Sequence, residues 1–252
     1  MTDMVKNIYK KEGETPLLAM QKYREKAGME EDVPMTYAGR LDPLASGVLI
    51  GLFGEARFRK NEFLALSKEY VVDILVGIST DTGDVLGLVE ECVVTEKTNS
   101  EYVQKTLASF VGVREEYYPK FSSKPHNGKP LFTWAKSETD VPLPTHRIEI
   151  SSIELIGVTE KVLREVVEEI ISRVNLIEGD FRQEAIIRKW QSLLDEETTI
   201  SCEMVQIRVS CGSGAYMRVL AEQIARALGY PGLAYRIVRT RVGDFRIEES
   251  EK

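Results

Sequence analysis

Apolar positions along the chain follow two rhythms, one with the period of a helix and one with the period of a strand. Leu17, Leu18, Met20 and Tyr23 stand at helical spacing within 16–26, and Gly28 offers a stop, so an early helix is predicted. Val162, Val166, Ile170 and Val174, followed by Ile186, Ile187, Trp190 and Leu194, predict two amphipathic helices around Gly179. Thr98-Asn99-Ser100-Glu101 can cap another helix that runs to about Phe110. A last long helix spans Tyr216–Leu228, ended by Gly229 and Pro231. Strand rhythm marks Glu69–Gly77, rich in β-branched residues, His146–Leu155, and Glu203–Cys211, where Val205, Ile207 and Val209 alternate with polar residues. Leu88–Thr95 reads as the hairpin partner of Glu69–Gly77 across the turn Thr80-Asp81-Thr82-Gly83-Asp84. Val111–Trp134 has no clear period and reads as a long functional loop. These strands flank helices without a βαβ rhythm, which predicts an α+β fold around a mainly antiparallel sheet.

Composition narrows the class. With 252 residues, 43% of them hydrophobic and 29% charged, the chain has the profile of a soluble globular protein. Apolar runs such as Val48–Phe53 fall far short of the roughly 20 residues that span a bilayer, and Met1-Thr2-Asp3-Met4 does not resemble a signal peptide. A cytoplasmic protein without a membrane partner is expected. Cys92, Cys202 and Cys211 lack CxxC spacing and only His126 and His146 could add ligands, so no metal is expected either. The net charge of −7 argues against a nucleic-acid partner, because phosphate contacts need lysine and arginine. Its distribution argues the other way: 159–200 holds ten acidic and six basic side chains, whereas 208–246 holds seven arginines against Glu222 and Asp244. That basic stretch reads as an RNA surface or as a solvated arginine-rich face.

Asp42 lies between Leu41 and Pro43 in a glycine-punctuated segment beside an apolar run. Taken alone, an Asp before Pro is more often a turn or cap residue than a nucleophile. Its surroundings change this. Tyr37-Ala38-Gly39-Arg40-Leu41-Asp42-Pro43-Leu44-Ala45-Ser46-Gly47-Val48-Leu49 resembles the catalytic motif of the TruB family of tRNA pseudouridine(55) synthases. Four further segments match in order: Ser67-Lys68-Glu69-Tyr70, the turn Thr80–Asp84, the RNA-gripping "thumb" segment Phe121–Phe132, and Cys211–Ala221 with Tyr216-Met217-Arg218.

The resemblance implies a pseudouridine-synthase-like fold, a mainly antiparallel sheet with flanking helices and loops around a central RNA-binding cleft. It also implies an enzyme that needs no cofactor and isomerises a uridine of RNA, foremost in the tRNA T loop. Asp42 would be the nucleophile, either capturing the ribose C1′ or removing a sugar proton on a glycal route. Arg218 would pair with Asp42 and keep it ionised, and Tyr70 would stack on the flipped base, although each type is otherwise an exposed helix arginine or a core tyrosine. Tyr37, Arg40, Lys68, Asp81, Asp84, Lys124, Lys129 and Tyr216 would line the substrate site. Within 114–136, Arg114, Lys120, Lys124, Lys129 and Lys136 could meet phosphates, while Tyr117, Tyr118, Phe121, Phe132 and Trp134 could stack or pack.

Several positions depart from the family pattern. Lys11 replaces a proline in Lys10-Lys11-Glu12-Gly13-Glu14-Thr15, Tyr37 stands for a histidine, and Glu116 and Tyr118 break a Gln-x-Pro-Pro. Gly39-Arg40-Leu41-Asp42 resembles ribosomal-RNA synthases of the same superfamily, which makes ribosomal RNA the alternative substrate. A non-catalytic RNA-folding chaperone is the alternative of another class; a hydrolytic glycosidase is weaker still, for no second carboxylate stands in a motif to act as its acid. One catalytic domain over 1–252 is expected, monomeric by default, with the thumb at about 114–136 and a helical insertion at about 157–200. A C-terminal PUA-like domain is not expected. The insertion, with its net acidic charge, is expected to pack on protein and to lie away from RNA.

Overall fold

The structure, a computed structural model, describes residues 3–137, 141–194 and 200–252. Its first half contains β1 (Asp3–Lys10), α1 (Pro16–Lys26), β2 (Met35–Ala38), β3 (Ala45–Gly54), α2 (Lys60–Ala65), β4 (Lys68–Val76), β5 (Ile78–Thr80), β6 (Val89–Cys92), α3 (Ser100–Ala108) and β7 (Gly112–Tyr117). There follow β8 (Pro125–His126), β9 (Lys129–Pro130), α4 (Leu131–Lys136), β10 (Thr145–Val162), α5 (Leu163–Val174), α6 (Gln183–Gln191), β11 (Ser201–Cys211), α7 (Met217–Ala227), β12 (Gly232–Val242) and β13 (Phe245–Arg246). The main sheet has the order β1-β3-β12-β4-β11-β10-β7, with β2 on β3 and β13 on β12, and every pairing is antiparallel except β3 with β12. The mixed helix-and-sheet architecture is therefore the α+β fold that the pattern predicts.

Side chains on alternate faces of β4 decide what covers the sheet. Val72, Ile74 and Val76 point to one side and pack with Val205, Ile207 and Val209 of β11 under α3 and α7. Leu75 points to the other side and meets α5 and α6, whose Val166, Ile170, Val174, Ile186 and Trp190 are fully buried together with Leu233 and Tyr235 of β12. β3, Ala45–Gly54, is buried along its whole length, as expected for a strand covered on both faces.

Three expectations are corrected. Leu88–Thr95 does not pair with β4, whose two edges are occupied by β12 and β11. Gly77, at φ +100°, breaks the strand, and β6 pairs instead with β5 beyond the break. The stretch 111–134 is not one loop: β7 closes the sheet edge against β10, and Asn127-Gly128, both at positive φ, turn a short β8–β9 hairpin before α4. The insertion is not helical from its start either, because β10 runs on to Val162 in register with β11 before α5 begins; within it, 195–199 lie outside the described residues.

Candidate active site

Asp42 sits on a loop whose shape is dictated at both ends. Gly39, at φ +82°, turns the chain out of β2, and the Ala45 N–H donates to the Asp42 carbonyl at 3.0 Å to close a tight turn into β3. Gly47 lets β12 approach, since a Cβ there would lie 2.2 Å from the Arg239 carbonyl oxygen. Two buried cations then grip the loop by its carbonyls. Lys10 Nζ donates to Lys11 and Pro43 at 3.0 Å and to Ala45 at 2.5 Å, and burial pushes its amine down to about 8. Arg239 donates through Nε to Val48 at 2.8 Å and through Nη2 to Gly39 at 3.0 Å. Both hold backbone rather than carboxylates, so the Asp42 side chain is left for other partners.

That partner is Arg218, the second residue of α7. Its Nε donates to Asp42 Oδ2 at 2.8 Å, Nη1 to the Thr82 carbonyl at 2.7 Å and Nη2 to the Phe121 carbonyl at 3.0 Å. The guanidinium is 4% exposed and the Asp42 carboxyl 35%, so the acid stands at the mouth of a site and the base at its floor. Burial disfavours the Arg218 charge, but Asp42 and Asp84 outweigh it and hold its pKa above the ordinary value.

Asp84 is a second carboxylate at the same guanidinium, with Oδ2 3.7 Å from Nε. Expected to meet substrate, it is instead buried. Its Oδ1 accepts from the Thr82 hydroxyl at 2.6 Å and the Leu86 N–H at 3.0 Å, and burial pushes its pKa up against the pull of Arg218. Asp81 is also engaged: Oδ1 accepts from the Leu88 N–H at 2.8 Å, and Arg182 grips the carboxylate at 2.7 and 3.3 Å. Arg182 belongs to the insertion, which packs on protein here as expected and reaches the turn behind the site.

Tyr70 is nearly buried on β4, in register with Val209 on one side and Arg239 on the other, and burial pushes its hydroxyl pKa up. Lys68 is not presented to a cleft. Its buried amine donates to the carbonyls of Leu64 and Leu66 at the end of α2, satisfying acceptors that the helix leaves open. Half-buried Tyr37 and exposed Arg40 form the rim, with Arg40 Nη2 donating to the Tyr37 hydroxyl at 3.2 Å and Lys60 over the Tyr37 ring at 5.6 Å.

Tyr216, half-buried at the start of α7, makes edge contacts at 6.0 Å with both Tyr118 and His146, which stack on each other at 3.9 Å. Lys124 lies 4.6 Å over Tyr118 and Lys129 5.4 Å over Trp134, so these lysines sit on the aromatics of their own segment. The Lys136 side chain lies outside the described residues.

The arginines of 208–246 do not form an open basic surface. Arg208 pairs with Glu154, Arg226 with Glu91, Arg236 with Glu169 and Arg241 with Glu69, while Arg218 and Arg239 are buried. Lys10, Arg239, Arg182 and His146 were missed from the sequence. Lys10 could have been found, since it opens the segment that matches a family motif; the others stand in no motif. Among the described residues no cluster of His, Cys, Asp or Glu could hold a metal, and no helix is long and apolar enough to cross a membrane.

A model of the TruB family pseudouridylate synthase N-terminal domain matches residues 27–179. Curated relatives include the tRNA pseudouridine synthase B of Bacteroides thetaiotaomicron, 32% identical over 213 residues that make up 84% of this chain and 73% of the relative. That of Psychrobacter arcticus is 28% identical over 229 residues, 91% of this chain and 49% of the relative. The chain thus spans about half the length of the first curated relatives it matches. Among solved structures, a Cbf5-Nop10-Gar1 complex matches with a TM-score of 0.58 at 18% identity, covering 96% of this chain and 49% of that one, a likeness of fold.

Proposed function

Because the chain belongs to the TruB family of pseudouridylate synthases, we propose that it isomerises a uridine of RNA to pseudouridine, with the T-loop uridine of tRNA as substrate. The observation that carries this reading is the Asp42–Arg218 pair, with the acid at the mouth and the buried guanidinium 2.8 Å behind it. A carboxylate held ionised and oriented by a buried cation suits a reaction in which an electron-poor ribose carbon must be captured or a sugar proton removed. The N1–C1′ bond breaks, the base turns, C5 bonds to C1′, and the C5 proton is lost while N1 regains one. Asp42 touches the sugar in either route; Arg218 orients it. Tyr70, whose phenol stays protonated in its buried position, supports the plane of the extruded base.

Tyr37 and Arg40 would meet the RNA at the rim, and the segment 118–134 would act as the thumb of one catalytic domain. Asp81, Asp84 and Lys68 act behind the site rather than on substrate. A tRNA target carries with it a cytoplasmic location. The curated relatives named for tRNA favour tRNA over ribosomal RNA as the substrate class.

The test is release of tritium from uridine-5-³H in a T-arm transcript, with a ribosomal-RNA fragment alongside. Wild-type protein is expected to release label from the T arm, and Asp42→Asn to release none while its RNA affinity stays within about tenfold, since the amide is nearly isosteric but a far poorer nucleophile. Label released only from the ribosomal fragment would move the substrate, and turnover by Asp42→Asn would remove the nucleophile.

A further inference from the structure

Arg218 is oriented by three hydrogen bonds, and two of them go to backbone carbonyls on separate segments: Thr82, in the turn after β5, and Phe121, at the root of the thumb. A buried guanidinium is only as well placed as those carbonyls. The same two segments are joined a second time, from outside. Arg182 of the insertion holds the Asp81 carboxylate through Nη1 at 2.7 Å and Nη2 at 3.3 Å, and its guanidinium lies 4.8 Å over the Phe121 ring. One planar group therefore ties the neighbour of Thr82 to the side chain of Phe121, combining a forked ion pair with a cation–π contact.

The backbone that delivers it is unusual. Arg182 stands immediately before α6 at φ +64°, ψ 26°, one of two non-glycine residues at positive φ among those described. A left-handed arginine costs conformational energy and persists where its surroundings fix it. Here α6 is anchored by Ile186 and Trp190 in the core, and Gln183 ties the approach by donating to the carbonyls of Ile177 and Gly179 and by accepting from the Phe181 N–H. Arg182 is thus presented from a turn anchored on both sides.

We infer that Arg182 is a positioning residue: it clamps the turn of Asp81 to the thumb root at Phe121 and so fixes the two carbonyls that orient Arg218 against Asp42. This rests on the isomerase reading for its effect on catalysis, but the clamp itself is a structural claim with its own readout. The acidic insertion, on this view, supplies the reaction with a guanidinium that does not touch RNA.

Two measurements on the full chain test it. In single-turnover assays with saturating T-arm RNA, Arg182→Ala is expected to slow pseudouridine formation by about 10- to 100-fold, with Kd for RNA within threefold and thermal midpoint within about 2 °C of wild type. Arg182→Lys, which keeps the charge but not the fork, should recover part of the rate. An unchanged rate would overturn the inference, and so would a Kd that rises with the rate preserved, because Arg182 would then be a contact to RNA. Hydrogen exchange reads the clamp without turnover: the amides of Leu131 and Phe132, which donate to Lys124 and Ser122 in the thumb, should exchange at least tenfold faster in Arg182→Ala. Faster exchange in a protein that forms no pseudouridine would keep the clamp and reject the isomerase, whereas unchanged exchange would reject the clamp.

Discussion

Glu116 presents a carboxylate for which β7 provides no proper partner. Its side chain is buried, neither oxygen accepts a hydrogen bond among the described residues, and Arg114 Nε lies 3.5 Å away. Burial pushes its pKa up, and Arg114 and His146 oppose this without cancelling it. A carboxyl raised in the folded state binds more proton folded than unfolded, so stability falls as pH climbs from the ordinary carboxylate range through the folded value. The family pattern that this segment resembles has glutamine at this place, and glutamine lacks the charge. Glu116→Gln should therefore be more stable than wild type at pH 7.5, by about 1 kcal/mol. The gain should shrink as pH falls through the ordinary carboxylate range and vanish near pH 3, where glutamate is largely protonated in both states. Urea midpoints at the two pH values measure it, and a variant less stable than wild type at pH 7.5 would mean that Arg114 compensates the charge fully.

At the scale of elements, α5 and α6 act as part of the core rather than as an appendage. Trp190 is fully buried against residues of α5 and of the sheet, so Trp190→Ala should cost about 3–5 kcal/mol and still give one cooperative unfolding transition. Two separate transitions in circular dichroism would show that the hairpin folds by itself. These helices were legible because a helix that covers a sheet repeats its apolar residues every three or four positions, as Val166, Ile170 and Val174 do. Among the strands that escaped notice, β1 and β12 interrupt their apolar inward positions with a cation: Lys10 and Arg239 are buried on loop carbonyls that no alternation of hydrophobicity can announce. β3 escaped for another reason, since a strand buried on both faces has no period. The candidate site was legible at Asp42 and Arg218 through ordered motifs, whereas Arg182 comes from 101 residues further along the chain than its partner Asp81 and has no local pattern.

For the whole molecule, the net charge of −7 sets a repulsive background against which any RNA must be held locally. The arginine-rich end of the sequence is the obvious candidate for that grip, but folding uses it otherwise. Arg208, Arg226 and Arg236 face Glu154, Glu91 and Glu169, and an arginine already neutralised by a carboxylate does not displace the cations condensed on RNA. Lys124 and Lys129 are placed differently, over aromatic rings of the thumb and without a carboxylate in contact among the described residues, so each can meet a phosphate while its stem stays packed. Salt dependence separates the two sets. Changing Lys124 and Lys129 together to glutamine should flatten the slope of log affinity against log salt by about 1.4–1.8, near the value for two lost phosphate contacts. Changing Arg208, Arg226 and Arg236 to glutamine should alter that slope far less, because it removes no phosphate contact; Glu154 and Glu91 lose their cation while Glu169 keeps Lys161 at 2.9 Å. Filter binding of a T-arm transcript between 50 and 300 mM salt gives both slopes. If the arginine triple variant flattened the slope as much as the lysine pair, those ion pairs would have to open on binding, and the arginine-rich stretch 208–246 would be part of the RNA surface after all.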